Sequence, residues 1–143
     1  MIRKATPYDF DVVMSLYKKG LEEIGITDYK ESYLLNKVVV SYHLAPCFLV
    51  VINDSIVGIA GLTIVHNSHN GDASLADYMF YIEPEHRNIK TLGALVKSAQ
   101  EFADSHKLPL RIDFAVNGDE ETRKRLMKMN NFDVKSIVGI YNG

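Results

Sequence analysis

Apolar and polar residues repeat with different periods along the chain, and each change of period marks an element. Val12, Val13, Leu16, Tyr17, Leu21 and Ile24 recur at three- and four-residue spacing behind Thr6-Pro7, where a hydroxyl can cap and a proline fits a first helical turn. This predicts a helix from Pro7 to Ile24, its end marked by Gly20 and Gly25. Tyr33, Leu34, Val38 and Tyr42 then share one face of Tyr29 to Leu44, a second helix whose Val38-Val39-Val40 lowers its propensity. Beyond Ala45-Pro46, Phe48 to Ile52 and Ile56 to Val65 are β-branched runs joined by Asn53-Asp54-Ser55, the pattern of a hairpin. The polar stretch His66 to Asp72 predicts a longer reversal into a strand from Leu75 to Ile82, stopped by Glu83-Pro84-Glu85. From Thr91 on, Leu92, Leu95, Val96, Ala99, Phe102 and Ala103 trace the most regular helical stripe of the sequence. Leu110 to Val116 reads as a strand, Asn117-Gly118-Asp119 as a turn, Glu120 to Met129 as a short charged helix with Leu126 and Met129 inward, and Phe132 to Tyr141 as the last strand.

The order is β-α-α-β-β-β-α-β-α-β, an α/β (α+β) arrangement on a mixed sheet. A helix joins the fourth and fifth strands, so that pair should run parallel through a right-handed crossover while the rest of the sheet is mostly antiparallel. In such a sheet the ligand crevice lies at the carboxyl ends of the parallel strands, here where Ile82 leads to Leu92 and Val116 to Glu120.

Composition narrows the classes. A chain of 143 residues that is 47% hydrophobic and 24% charged fits one soluble domain over 1–143, able to bury about two thirds of its extended surface around a core without staples. The lone Cys47 makes no intramolecular disulfide and no basic-then-apolar leader opens the sequence, so a cytoplasmic protein is expected. Apolar runs such as Phe48 to Ile52 are too short for a bilayer. With 16 Lys and Arg against 18 Asp and Glu, the net charge of -2 gives no global field for nucleic acid. Neither a membrane nor a nucleic acid is an expected partner, and any anion site must be local.

Three segments carry a resemblance. Tyr81-Ile82-Glu83-Pro84-Glu85-His86-Arg87, then Leu92-Gly93-Ala94-Leu95-Val96-Lys97-Ser98-Ala99, then Met129-Asn130-Asn131-Phe132 stand in an order and spacing similar to the GCN5-related N-acetyltransferase (GNAT) superfamily. They resemble its strand end with Pro-Glu-x-Arg, its pyrophosphate helix and its closing lysine-leucine-glycine-phenylalanine. The likeness covers nearly the whole chain, from Ile2 to Phe132. It implies a GNAT-like acyl-CoA N-acyltransferase fold with a splayed parallel strand pair, and transfer of acetyl from acetyl-CoA, without a metal, to the amine of a small molecule or protein. It also implies that peptide groups near Tyr81 and Ile82 bond the pantetheine arm as an added strand would. The loop Arg87, Asn88, Ile89, Lys90, Thr91 and Leu92 would aim N–H groups and a helix dipole at the pyrophosphate. Asn117 would bond the coenzyme or a water, or else cap the helix it precedes. The loop departs from the family pattern at two small positions, held here by Lys90 and Leu92, where bulk is expected to crowd a phosphate. The Lys90 charge and the Thr91 hydroxyl offset part of that loss. These departures, with Met127 in place of a family tyrosine, raise an alternative: a catalytically inactive binding or regulatory module. Homodimers are common among such proteins, though no residue here marks an interface.

Acetyl transfer to an amine needs a base. The resemblance places a carboxylate eleven residues before the loop arginine, where Ala76 stands with Asp77 beside it. Asp77 is the base available, on the condition that a bulge shifts the register, because neighbouring strand residues face opposite ways; a solvated strand acid is its other reading. Met127 occupies the place of the family's acidic tyrosine, and Tyr78, Tyr81 and Tyr141 are distant substitutes that read better as core. His66, His69 and Asp72 lie in a glycine-bearing loop without fixed further ligands, so no metal site is expected. Cys47 reads as a packed thiol, and Arg123-Lys124-Arg125 with Lys128 as a solvated helix face. Glu22, Glu23, Asp28 and Asp72 rim the entrance expected for the acceptor and suit a cationic amine.

Overall fold

The computed structural model describes residues 1–113, 120–129 and 132. Its elements are β1 (Ile2–Lys4), a 3-10 turn (Pro7–Asp9), α1 (Phe10–Glu23), α2 (Glu31–Leu44), β2 (Cys47–Ile52), β3 (Ser55–His66), β4 (Ala73–Ile82), a second 3-10 turn (Pro84–His86), α3 (Ile89–Ser105), β5 (Leu110–Arg111) and α4 (Glu120–Met129). The strands form one sheet in the order β1-β2-β3-β4-β5, antiparallel up to β4 and parallel between β4 and β5, as the order of elements predicts. The stretch expected to complete β5 beyond residue 113, the side chains of Leu126 and Met129, and the last strand beyond Phe132 lie outside the described residues.

The sheet separates two cores. On one face α3 lays Leu92, Leu95, Val96, Ala99 and Ala103 over Phe48, Val50, Leu62, Leu75, Phe80 and Ile82. On the other, Val13, Leu16, Tyr17 and Leu21 of α1 and Leu34 and Val38 of α2 cover Cys47, Leu49, Ile59, Met79 and Tyr81. Helices on both faces explain why the inner strands read as nearly continuous apolar runs, each large buried side chain contributing roughly 1.5–3 kcal/mol.

Local chemistry sets the connections. Asn53 and Asp54 adopt φ of 49° and 63°, the left-handed conformation of a two-residue hairpin turn, and Ile52 pairs with Ser55 across it. The buried Asp9 closes a capping box with Thr6 and receives the Arg3 guanidinium at 2.8 and 2.9 Å, which ties β1 to the start of α1. That guanidinium, with the Thr6 N–H, holds the Asp9 carboxyl well below the usual carboxylate range. In α2 the inward face is Leu34, Val38 and Ser41; Tyr33, expected inward, is 72% exposed, and Tyr42 sits at the edge with its ring 5.8 Å from that of Phe10. The helix is apolar around most of its circumference, so its rotation is set by the sheet beneath rather than by its own periodicity.

Candidate active site

Among the described residues the parallel pair is short. Leu75 pairs with Leu110 and Ala76 with Arg111, and at the next step the Asp113 N–H donates to Asp77 Oδ1 at 3.0 Å. A side chain thus takes the donor that a continuing ladder would use, and β5 ends at Arg111 instead of running on through Ile112 and Asp113 as expected.

The register beside this point is irregular. Gly61 pairs with Met79 and Leu62 with Asp77, which leaves Tyr78 as the extra residue of a β-bulge. Tyr78 and Met79 both turn toward α1, the first with its ring 5.2 Å from that of Tyr17 and the second against Gly20. Gly61 makes room for the bulge, because a Cβ there would lie 2.2 Å from Tyr78 Cζ. A bulge is therefore present one residue downstream of Asp77, and it leaves Asp77 opposite Leu62 on the α3 face and Ala76 opposite Thr63 on the α2 face. The Asp77 carboxyl is half-buried; desolvation, and then the nearby Asp113 charge, push it up to about 7 against the pull of the Asp113 N–H and of Lys37.

A cleft of about 410 Å³ opens between α2 and β3, lined by Tyr17, Tyr33, Leu34, Lys37, Val40 and Thr63 among others. Thr63 pairs with Ala76 on this face, whereas Asp77 pairs with Leu62, whose side chain packs in the core beneath α3 on the other face. Sequence reasoning did not single out Tyr17 or Lys37 for this place, since only the packing of α1 and α2 on the sheet brings them there.

The turn into α3 is built from side-chain bonds. Asn88 is the N-cap: its Oδ1 accepts the Thr91 N–H at 2.9 Å and its carbonyl the Leu92 N–H at 2.9 Å. That leaves the amides of Ile89 and Lys90 as the first-turn donors without an intrahelical acceptor. Lys90 is exposed and Thr91 half-buried, whereas Leu92, at 1% exposure, points into the core beneath α3. The expected crowding by Leu92 does not arise, because the helix turns that side chain away from the loop surface.

Arg87 faces inward along the turn. Its Nε donates to the Ile82 carbonyl at 2.6 Å and its Nη2 to Glu23 at 2.7 Å, with the guanidinium 5.3 Å from the centre of the Tyr81 ring. Lys19 reaches Glu83 at 2.6 Å beside it, so two ion pairs clamp the end of α1 to the strand end. The Glu83 N–H donates to the Val57 carbonyl, which by the alternation of an antiparallel ladder turns the peptide groups of Tyr81 toward β3 and those of Ile82 toward the β5 side. The Tyr81 hydroxyl donates to Glu83 at 3.3 Å, and burial pushes it up to about 12.

Other candidates fall into place as packing or surface. Tyr78 keeps its hydroxyl buried, with only the Cys47 thiol to interact with among the described residues, and burial drives it far above the phenol range; burial likewise pushes Cys47 up to about 12. Met127 packs against the α3-side core, and the Phe132 N–H closes onto its carbonyl at 2.9 Å. The loop holding His66, His69 and Asp72 is exposed and organised by Asn67, whose Oδ1 accepts the His69 N–H at 2.7 Å. Among the described residues no group of three or more His, Cys, Asp or Glu is set to hold a metal, and no helix is long and apolar enough to cross a membrane. Lys124, Arg125 and Lys128 are exposed. Of the rim acids, Glu23 is engaged by Arg87 while Glu22, Asp28 and Asp72 are exposed. Asn117, Tyr141 and the Arg123 side chain lie outside the described residues.

Among solved structures, the chain superimposes on a predicted acetyltransferase with acetyl-CoA from Clostridium acetobutylicum with a TM-score of 0.76, at 15% identity over 99% of this chain and 95% of that one. The chain has the GNAT fold. A second acetyltransferase of this shape, AAC(6')-Iy in complex with the bisubstrate analogue CoA-S-monomethyl-acetylneamine, gives 0.75 at 13% identity, covering 100% and 97% of the two chains. Ribosomal-protein-alanine N-acetyltransferase from Brucella melitensis biovar Abortus 2308 gives 0.67 at 13% identity, covering 99% and 97%. By sequence the chain matches no family model and no curated protein. In this GNAT fold the end of the β4–β5 ladder, the bulge at Tyr78 and the capped start of α3 lie along one edge of the sheet.

Proposed function

We propose that the chain is an acetyl-CoA-dependent N-acetyltransferase with Asp77 as its base. The observation that carries this reading is the Asp77 carboxyl, desolvated to about 7 and bonded to the Asp113 N–H just past the last described step of the parallel pair. A base with that value is charged for much of the time near neutral pH yet strong enough to take a proton from an ammonium held against it. The two solved structures of this shape that hold acetyl-CoA or a CoA-linked analogue support the cosubstrate.

In this reading the pyrophosphate meets the amides of Ile89 and Lys90, the Lys90 ammonium and the Thr91 hydroxyl, with Asn88 holding the first turn open. Asn117, which lies outside the described residues, adds a polar contact to the coenzyme in this reading. Ile82 offers its peptide edge to the pantetheine arm. Tyr81 supports that edge through the ring beneath Arg87, and Arg87 positions the turn through the Ile82 carbonyl. Leu92 anchors α3 from below. Acetyl-CoA supplies the activated acyl group. Asp77 removes one proton from the acceptor ammonium, the amine nitrogen bonds to the acyl carbon, and the carbon–sulfur bond breaks. The second proton lost by the nitrogen passes through water to the leaving thiolate, which gives the amide and the free thiol. Calorimetric titration with acetyl-CoA, followed by thiol release with an amine panel, tests the reading. Saturable heat and amine-dependent release are expected; no heat and no thermal shift at millimolar acetyl-CoA would overturn it.

A further inference from the structure

The contacts of Arg87 belong to one circuit with the end of α1. Lys19 and Glu23 stand one helical turn apart on that helix, and each reaches across to the end of β4: Lys19 to Glu83 at 2.6 Å, Glu23 to Arg87 Nη2 at 2.7 Å. Between the two pairs, the Tyr81 ring lies 5.3 Å from the guanidinium and the Tyr81 hydroxyl donates to Glu83. The remaining contact leaves the helix: Arg87 Nε donates at 2.6 Å to the carbonyl of Ile82, one of the peptide groups turned toward the β5 side.

That carbonyl is the group of Ile82 that can receive an amide N–H of a pantetheine arm lying against β4 as an added strand. Arg87 therefore keeps a charge-assisted bond on an acceptor that the coenzyme must share or take. A guanidinium is planar and rigid, so Nε and Nη2 move together. Tilting Nε off Ile82 carries Nη2 off Glu23, and a firm bond at Glu23 keeps Nε in place. With 15% of the Arg87 side chain exposed, water compensates little for either lost bond.

We propose that Glu23 is a positioning residue that latches Arg87 onto the Ile82 carbonyl against the pantetheine arm, so that the Glu23–Arg87 bond and coenzyme binding oppose each other. The proposal rests on the acetyl-CoA reading for its ligand. Coupling is reciprocal, so coenzyme on this edge loosens Glu23, the last residue of α1, where the amides of Gly25 and Ile26 close onto the carbonyls of Glu22 and Leu21.

The test is calorimetric titration with acetyl-CoA and with 3′-phospho-ADP, which has the coenzyme's phosphates and no pantetheine arm. Glu23→Gln should tighten acetyl-CoA about fivefold more than it tightens 3′-phospho-ADP, the order set by one partly exposed ion pair. A general gain from removing a negative charge would appear equally with both ligands. Lys19→Met, which breaks the neighbouring pair and leaves Arg87 on its carbonyl, should not tighten acetyl-CoA. In the labelled native chain the Arg87 Nε–H and the amides of Gly25 and Ile26 should exchange faster with acetyl-CoA bound, but not with 3′-phospho-ADP. Unchanged or weaker acetyl-CoA binding by Glu23→Gln, equal tightening of both ligands, tightening by Lys19→Met, or exchange that acetyl-CoA does not speed overturns the proposal. No heat from acetyl-CoA with either the native chain or Glu23→Gln fails the acetyltransferase reading and the latch together; native binding without these differences fails the latch alone.

Discussion

Replacing Asp77 by Asn separates the cost of the site from its use. The amide keeps a carbonyl to accept the Asp113 N–H, so geometry is retained while the charge is removed. The folded carboxyl titrates near 7 against an ordinary 3.8, so between about pH 4 and 7 the folded chain holds a proton that the unfolded chain has released. Stability of the native protein should therefore fall as pH rises through that window and level off above it. At about 1.4 kcal/mol per pH unit the gap sets a ceiling of roughly 4 kcal/mol, and full screening through the exposed part of Asp77 sets a floor of about 2. Asp77→Asn should then be more stable than the native protein by about 2–4 kcal/mol at pH 8.5 and equal to it at pH 4. Thermal denaturation at the two pH values reads this as a rise of roughly 4–15 °C at pH 8.5 alone. In the same variant acetyl transfer should drop by about 10²–10⁴-fold, and the rise of kcat/KM with pH around 7 should vanish. Equal or lower stability at pH 8.5 would show that Asp77 is not desolvated, and the argument for it as a tuned base would fail.

Four further substitutions probe the scaffold. Asn88→Ala should cost about 1 kcal/mol in urea denaturation by leaving the Thr91 N–H without its cap, and should weaken acetyl-CoA in the same titration. Gly61→Ala should cost about 1–3 kcal/mol, because its Cβ meets the packed Tyr78 ring, whereas Gly20→Ala, which meets the flexible end of Met79, should cost less. Glu23→Gln should shift the melting temperature by less than about 4 °C, as expected of a partly exposed ion pair, yet speed amide exchange at residues 87–90 by loosening Arg87.

Much of the architecture was legible because several local signals agreed. Asn53-Asp54 favours the positive φ a two-residue hairpin turn needs, and the apolar stripe from Leu92 to Ala103 fixes which side of α3 is buried. That same stripe already implied that Leu92 points inward; the family loop pattern alone suggested crowding, and a helical residue cannot face core and phosphate at once. The rotation of α2 was not legible, since Tyr33, Leu35, Val39, Val40 and Leu44 leave it apolar on its exposed side too. The bulge at Tyr78 was conditional in the sequence, because the glycine that admits it sits on the neighbouring strand, at Gly61. The engagement of Arg87 by Glu23 joins residues 64 apart and has no local signature. Lys37 entered the candidate site for the same reason: two helices and two strands must pack before it lies near Asp77.

The central claim is that coenzyme binds where α3 begins. Titrating the isotope-labelled chain with acetyl-CoA and following backbone amides tests it most directly. Saturable shifts at Ile82, Ile89, Lys90 and Thr91, with the amides of His66 to Asp72 unmoved, are the predicted result; shifts absent from the start of α3 at saturating ligand would contradict it.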